Sequence, residues 1–518
     1  MKKIIGAIII VILVVGAMFA YKLIKPKMDA QEVEDTSAAK DLKGEVRIAL
    51  DSWVGYFPLR SSQFKQKMRQ AGWNIKITDD GADYHARAEK FAKGEYDIMV
   101  ATVDSYVLNS AKNKYPGVIT VVIDESFGGD SIMAMKTAGE SIDAFKNKTP
   151  KVAFTPDSPS HHLLKAVRSH FGAASLLPPK GSKERVETKG SEEALKLLLS
   201  GQVQVAVLWE PDVSRAQAQP GIVKLMGTEQ ARRYIVDVLV VRREFLKEKK
   251  DVVKLVHSAY FRALKYYQDN PEELKKELGE ETKLTPANVA DMLKGVIWVN
   301  LTQNCHDWFG VGAPNESPNT LIVDTIDSTV AVLIDNNDFS DNPLPDNDPY
   351  KIFNVDILQD LFLTGVAGFQ KEEDKVIINS LETKFEQFTE EQWSRLKVVG
   401  TLKVNTIVFQ SGTTRLSLEG KEELDRMVTE LTHFPSFRVK IMGHTSVEGD
   451  PEENKKLSLE RAQAVAQYLM VTYNIDANRL LSIGMGGEAP LPQLPDETER
   501  VWYYRLSRVE IVLVKEEI

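Results

Sequence analysis

Polar and aromatic side chains follow each of five short apolar runs between residues 46 and 210, at the point where each run ends. Aromatic rings can form the walls of a ligand pocket. Hydroxyl groups and a helix start after Pro159 would favour an anion, whereas carboxylates would favour a cationic or amine-bearing group. Both trends occur together, so the pattern predicts a small-solute site and leaves the charge of its ligand open. The predicted site residues are Asp51, Trp53, Tyr56, Thr102, Asp104, Ser126, Gly129, Asp130, Thr155, Ser158, Ser160, His161, Trp209 and Glu210.

A second group of polar residues lies at a predicted strand-to-helix junction, residues 443–462. Residues 437–442 alternate apolar and polar side chains, which predicts a half-buried strand, and the apolar residues of 462–473 recur at helical spacing. Ser458 is expected to cap the start of that helix. His444, Thr445, Ser446, Glu448 and Arg461 are expected to converge at the junction.

Enzyme chemistry is not predicted. His161 and His162 are adjacent, so on a helix their side chains point about 100° apart and do not share a metal-binding face. Cys305 and His306 are also sequence neighbours, which rarely form a nucleophile and its base, and no known nucleophile motif surrounds them. The sequence therefore predicts a protein that is not an enzyme and has no catalytic residues, metal or cofactor.

The elements that must position the first group alternate along residues 44–362, as short apolar strands and helical patterns. This alternation predicts an α/β fold with a largely parallel sheet, in which ligands bind beyond the carboxyl ends of the strands. The predicted strands are 46–50, 97–101, 118–123, 152–154 and 205–208, and the predicted helices are 64–71, 85–93, 161–171 and 192–199.

Four segments carry a family resemblance in this region: Trp53, Gly55, Tyr56 and Pro58; Gly94 and Asp97; Ser126, Gly128, Gly129 and Asp130; and Trp209, Glu210 and Pro211. Their order resembles the periplasmic solute-binding proteins of the nitrate, sulfonate and taurine type and of the thiamine-precursor type. The resemblance implies two α/β lobes over residues 45–364 that close on a small ligand by a hinge. The second lobe is expected at about 150–230, with the chain crossing between lobes at 136–151 and 223–238.

The C-terminal part carries a second resemblance, through Ile407, Phe409, Ser411, Gly412, Leu416, Gly443, His444, Thr445, Asn454, Leu457, Ser458, Arg461, Ala462, Gly484, Gly487, Pro490, Arg508, Val509, Glu510 and Ile511. In this order they resemble the OmpA C-terminal family of peptidoglycan-binding domains over residues 398–518. The resemblance implies an α+β domain that follows the two-lobed one.

In that family an aspartate after G-H-T and an arginine on the next helix hold the diaminopimelate group of peptidoglycan, which carries both an ammonium and a carboxylate. Arg461 occupies the arginine position, but Ser446 stands where the aspartate is expected and supplies no charge. Glu448 and Asp450 in the same loop are the alternatives for the missing carboxylate. The resemblance implies the peptidoglycan-binding residues Thr445, Ser446, Glu448, Asn454, Leu457, Arg461 and Arg508.

Length and composition limit the number of domains and the kinds of partner that the protein can have. The 518 residues allow two or three domains, and a net charge of −9 over that length argues against nucleic acid as a partner. The single cysteine, Cys305, cannot form an internal disulfide, and no cysteine near the N-terminus would accept a lipid.

An apolar run without charged residues spans residues 4–21. It is long enough for a transmembrane helix, and it favours an uncleaved membrane anchor at 1–27 over a cleaved signal peptide. The run has no acidic residue, which argues against ion conduction through it. Residues 28–44 are predicted to form a flexible tether, and residues 365–397 a helical connector between the two domains.

These features predict a single-pass protein of the bacterial inner membrane with its domains in the periplasm. It would bind a small solute in an interlobe cleft and attach non-covalently to peptidoglycan. One alternative is a structural or protein-docking component of an envelope complex, with a cleft that takes no ligand. Another is a solute donor for a permease, a partner that this chain does not reveal.

Overall fold

The computed structural model describes residues 42–311, 320–364, 385–410, 413–495 and 497–516. The predicted anchor, nearly all of the predicted tether and most of the predicted connector lie outside these residues. Among the described residues, none of the helices combines the length and the hydropathy that a membrane span requires.

The strands of the described ranges form three sheets. Two sheets belong to the N-terminal domain, with orders β11-β4-β10-β3-β1-β2 and β7-β6-β8-β5-β9, and the third belongs to the C-terminal domain, with order β12-β15-β13-β14. The strands are β1 Gly44–Leu50, β2 Trp73–Asp79, β3 Ile98–Thr102, β4 Gly117–Ser126, β5 Asp130–Met135, β6 Val152–Phe154, β7 Arg185–Glu187, β8 Val205–Trp209, β9 Ile222–Gly227, β10 Val236–Arg242, β11 Val296–Trp298, β12 Lys397–Thr401, β13 Arg438–Gly443, β14 Leu480–Gly484 and β15 Val509–Lys515.

Helices cover the sheets of both domains. They are α1 Phe57–Arg60, α2 Ser62–Gln70, α3 Tyr84–Ala92, α4 Val103–Ser110, α5 Pro159–Phe171, α6 Ser191–Leu199, α7 Asp212–Gln217, α8 Arg243–Glu248, α9 Lys250–Asp269, α10 Pro271–Thr282, α11 Pro286–Lys294, α12 Leu301–Gln303, α13 Leu321–Asp335, α14 Asp356–Thr364, α15 Glu390–Arg395, α16 Leu418–Leu431, α17 Pro451–Tyr473 and α18 Glu499–Leu506.

The two N-terminal sheets confirm the two-lobed α/β architecture, but only half of each sheet is parallel. Strand β1 runs parallel to β2 and β3, whereas β10 is antiparallel to β3 and β4. In the second sheet β6 runs parallel to β7 and β8, whereas β5 is antiparallel to β8 and β9. The antiparallel strands flank the places where the chain changes lobe, because a chain that crosses over enters the next sheet from the opposite side.

The first crossing occurs earlier than the sequence predicted, whereas the return lies within the predicted range 223–238. Strand β4 ends at Ser126 in the first sheet, and β5 begins at Asp130 in the second, so residues 127–129 are the first crossing. The return lies between β9 and β10, at residues 228–235. The second lobe therefore starts near residue 130 and not near 150, because the short loop after β4 connects the lobes instead of turning back into its own sheet.

Helix α13 joins the two lobes. It packs against α4 of the first lobe and α5 of the second. Polar contacts fix it to the second lobe, because Ser169 Oγ lies 2.6 Å from Asp335 Oδ2, and Lys165 Nζ lies 2.8 Å from Asp338 Oδ1 just beyond the helix.

The C-terminal sheet shows two departures from the sequence prediction. Its edge strand is β12, while the predicted opening strand near Ile407 forms a single bridge between Phe409 and Leu416. Helix α17 begins at Pro451 and not near Ser458, because the Asp450 side chain accepts hydrogen bonds from the first amide groups and caps it.

The C-terminal domain packs directly on the second lobe and shares its hydrophobic core. The Phe434 ring meets Phe171 edge to face at 5.4 Å between centroids, and His433 stacks on Tyr234 at 4.5 Å. Backbone hydrogen bonds also cross the interface, with Ile142 N donating to Val399 O at 3.0 Å. The domains are therefore not independent bodies on a long linker.

Candidate functional sites

A cavity of about 100 Å³ lies between the two lobes, beyond the carboxyl ends of β1 and β3. The first lobe supplies most of its wall, the second lobe supplies Asp130, Pro159 and Trp209, and the returning crossing segment supplies Ile235. Six of the fourteen predicted residues line it: Asp51, Trp53, Tyr56, Thr102, Asp130 and Trp209. The other lining residues are Ser52, Gly81, Ala82, Tyr84, Pro159, Ile235 and Asp237.

A buried arginine fixes one edge of this cavity. Arg87 of α3 is 1% exposed and lies 2.8 Å from Asp51 Oδ2 after β1 and 2.5 Å from Asp80 Oδ1 after β2. It also donates to Val100 O of β3 at 2.9 Å. The loop that carries Trp53 is held in turn by Asp51, whose Oδ1 accepts from Trp53 N at 2.9 Å. One guanidinium thus ties together the ends of three strands.

Two carboxyl groups face each other at the floor of the cleft. Asp124 of β4 and Asp237 of β10 are directly opposite in the antiparallel ladder, and both are buried. The Trp53 indole donates to Asp124 Oδ1 at 3.2 Å, and the Tyr56 hydroxyl donates to Asp237. Burial raises the pKa of Asp124 to about 7, and burial together with the neighbouring Asp124 raises the pKa of Asp237 well above its usual range.

Asp130 adds a third acidic group to the cavity. The Ser126 hydroxyl donates to Asp130 Oδ2 at 2.7 Å. Burial raises the pKa of Asp130 to about 7, and repulsion from Asp104, Glu210 and Asp51 adds to the shift. Burial also raises the pKa of Asp104 to about 6. The cavity lining therefore carries three carboxyl groups, those of Asp51, Asp130 and Asp237, and includes no lysine or arginine.

Eight predicted residues do not line the cavity: Asp104, Ser126, Gly129, Thr155, Ser158, Ser160, His161 and Glu210. Thr155, Ser158 and His161, which follow β6, contact groups of their own lobe. Ser158 Oγ donates to Thr155 O at 2.7 Å, and His161 Nδ1 accepts from Asp157 N at 3.2 Å. Thr155 lies beside Thr188, and Ser160 is wholly buried.

The remaining residues of that group support the lining. Gly129 allows close packing, because a Cβ there would lie 2.5 Å from the Trp53 ring. Glu210 accepts hydrogen bonds from Ser214 of α7, and Asp104 lies buried in the first turn of α4.

Tyr84 and Asp237 are two of the seven cavity residues that sequence reasoning missed. Asp237 is a lone acidic residue within the apolar run Val236–Arg242, and a charge in such a run was a signal that could have identified it. Tyr84 is the first residue of α3 after the Asp83 cap, and nothing in its spacing distinguished it.

The second candidate site surrounds the loop between β13 and α17. Thr445 N donates to Gly486 O at 2.9 Å, and the buried Ser458 Oγ accepts from Gly486 N at 2.9 Å. Asn454 closes the loop through a 2.7 Å bond to Glu448 O, and Leu457 is half-buried. The loop 443–450 and the loop after β14 are thereby held together.

Arg461 is available for an anionic ligand at this site. Its Nη1 donates to Ser507 Oγ at 2.8 Å, and its guanidinium lies 5.1 Å from the centre of the Phe409 ring. Its Nε is buried without a hydrogen-bond partner, and no carboxylate of the described residues forms an ion pair with it. Burial lowers the pKa of Arg461, which nevertheless stays cationic at neutral pH.

The other charged residues at this site differ in availability. Arg508 is occupied, because it pairs with Glu510 at 2.7 Å and donates to two backbone carbonyls. Asp450 is engaged as the cap of α17. The exposed Glu448, near the half-buried Ser446, is hydrogen-bonded to Tyr503 and pairs with no basic side chain of the described residues.

Comparison with known proteins matches residues 408–501 to the OmpA family. Omp38 of Acinetobacter baumannii is 31% identical over 85 residues, which cover 16% of this chain and 24% of Omp38. The probable lipoprotein YiaD of Escherichia coli is 31% identical over 87 residues, or 17% of this chain and 39% of YiaD. This chain therefore spans well under half the length of these relatives.

Solved structures are similar to the N-terminal part. The periplasmic aliphatic sulphonate binding protein SsuA of Escherichia coli aligns with a TM-score of 0.44 at 17% identity, over 57% of this chain and 92% of SsuA. The periplasmic nitrate-binding protein NrtA of Synechocystis PCC 6803 aligns with a TM-score of 0.47 at 13% identity, over 64% of this chain and 91% of NrtA. At these TM-scores the likeness says nothing about the ligand. What the comparisons do show is that this chain carries an OmpA domain at residues 408–501.

Proposed function

We propose that this protein is a non-enzymatic component of the bacterial cell envelope that binds a small solute between its lobes and attaches to peptidoglycan through its OmpA domain. The observation that carries the proposal is the interlobe cavity, which takes its walls from both lobes and from the returning crossing segment. A ligand there contacts both lobes at once and so favours their closed arrangement.

Solute binding should raise the melting temperature of the full chain, because a ligand that binds only the folded state stabilises it by about 2.7 kcal/mol at one hundred times its dissociation constant. The experiment is a thermal-shift screen against amino acids, sugars, nucleosides, amines and small anions. Trp209→Ala, in the cavity wall, should abolish the shift, whereas Tyr350→Ala, an exposed aromatic outside the cavity, should retain it. If no compound of the screen shifts the melting temperature, the result contradicts the proposal and favours a docking or structural role.

Attachment to peptidoglycan is supported by the OmpA match and by Arg461, a half-buried guanidinium without an ion-pair partner. Such a group can bind the carboxylate of a peptide stem. The aspartate expected beside it is Ser446, so the ammonium of the stem would have to use Glu448 or remain in water.

Purified sacculi should retain the wild-type chain, and Arg461→Ala should lower retention at least tenfold, because each lost charge-assisted hydrogen bond costs about 1.5–3 kcal/mol. Arg426→Ala is the matched control, since Arg426 is an exposed arginine on α16 of the same domain. Glu448→Ala should have a smaller effect if Glu448 meets the ammonium. A wild type that does not sediment with sacculi would refute the attachment.

In this proposal the apolar run at residues 4–21 holds the chain in the inner membrane, and the two domains occupy the periplasm. A tag placed after Lys43 should then be cleaved by protease added to spheroplasts. Protection of that tag would contradict the orientation.

A further inference from the structure

We propose that the ligand of the interlobe cleft is a small organic cation with an ammonium group, held between aromatic rings and buried carboxylates. This inference rests on the proposed solute-binding function. The first support is the charge of the lining. Asp51, Asp130 and Asp237 line the cavity, and no basic side chain does. An anion placed there would face Asp130 and Asp237, which have no basic partner among the described residues, and Asp51, whose charge Arg87 balances.

The basic residues nearest this region are already neutralised. Arg87 is shared between Asp51 and Asp80, so this cluster of three groups retains a net negative charge. Lys165 of α5 in the second lobe pairs with Asp338 at 2.8 Å. Neither cation is free to receive an anionic ligand.

A pair of buried carboxyl groups lies at the cavity without a basic partner among the described residues. They are Asp124 and Asp237, which are 0% and 2% exposed and share a hydrogen bond. Asp124 lies directly opposite the cavity-lining Asp237 in the β4–β10 ladder. Burying several carboxyl groups without a counter-ion is costly. A cationic ligand would supply the missing positive charge.

The rest of the lining favours an organic cation over a metal ion. Trp53, Tyr56, Tyr84 and Trp209 line the cavity, and aromatic faces attract ammonium groups by about 0.5–2 kcal/mol each. Within the described residues, no group of three or more His, Cys, Asp or Glu is arranged to hold a metal. A volume of about 100 Å³ restricts the ligand to a small molecule.

The test is a titration of the full chain with probes of matched shape and different charge. Methylammonium, choline and putrescine are the cations, 3,3-dimethyl-1-butanol is the neutral counterpart of choline, and ethanesulfonate and nitrate are the anions. At least one cation should raise the melting temperature, with no shift from the neutral alcohol or the anions. Calorimetry should then show binding at least tenfold weaker in Asp130→Asn and Asp237→Asn, and unchanged in Asp269→Asn, an exposed aspartate on α9.

Other outcomes distinguish a failure of the cation proposal from a failure of the proposed solute binding. A shift with ethanesulfonate, nitrate or the alcohol and none with the cations overturns the cation proposal while solute binding stands. An unchanged melting temperature with every probe and with every compound of the wider screen overturns both the cation proposal and the proposed solute binding. Asparagine has nearly the size of aspartate but cannot ionise, so melting curves of the variants without ligand should show folded protein. Equal cation affinity in variant and wild type would also overturn the assignment.

Discussion

Arg87→Met should destabilise the N-terminal domain by about 3–5 kcal/mol, the cost of removing one partner from a buried ion pair. Arg87, Asp51 and Asp80 are all nearly inaccessible to water, at 1%, 7% and 8% side-chain exposure. Methionine fills much of the space but leaves two carboxylates without their counter-charge. Urea unfolding, followed by intrinsic fluorescence, should show the loss as a lower midpoint with an unchanged slope.

Two further variants make this prediction specific. Lys265→Met removes an exposed pair with Asp269 on α9 of the same lobe and should cost under about 1 kcal/mol. Adding Asp51→Asn and Asp80→Asn to Arg87→Met removes the orphaned charges and should recover most of the lost stability. If Arg87→Met alone costs less than about 1 kcal/mol, the arginine does not hold the strand ends as described.

The sequence predicted the fold where local patterns determine it. Alternating strands and helices indicated an α/β fold, and the resemblance to solute-binding proteins implied its two lobes. The motifs around Gly443 and Arg461 located the OmpA domain that residues 408–501 match. The start of the second lobe was misplaced, because residues 127–129, Phe-Gly-Gly, look like any short turn after a strand. Whether such a loop turns back or crosses to another sheet depends on distant pairings, here β5 with β8 and β9.

The candidate site was predictable only in part for a related reason. Aromatic and acidic residues after strands, such as Trp53 and Asp130, reach the cavity because strand ends converge. Hydroxyl groups such as that of Ser158 were equally placed in sequence, but they bind nearby backbone groups instead. Local hydrogen bonding of this kind competes with ligand binding, and residue type alone does not show which one prevails.

Phe434→Ala should release the OmpA domain from the second lobe, with a loss of about 3–5 kcal/mol for the buried ring. Phe434 is wholly buried, and its ring contacts Phe171 of the second lobe at 5.4 Å and Phe437 of its own domain at 6.2 Å. X-ray scattering should report a larger radius of gyration, and thermal unfolding should change from one transition to two. Tyr350→Ala, at an exposed position of the N-terminal domain, should change neither.

A substitution in β12 tests the same interface between the OmpA domain and the second lobe. Gly400 of β12 lies against Phe171, where a Cβ would come within 2.6 Å of the ring, so Gly400→Val should force the surfaces apart in the same way. Retained far-ultraviolet circular dichroism in both variants would distinguish separation from unfolding, and an unchanged radius of gyration would contradict the prediction. If the contact holds as described, the OmpA domain moves with the second lobe. Closure of the cleft would then shift the first lobe relative to a wall-bound domain, so solute binding and wall attachment would be mechanically linked in one chain.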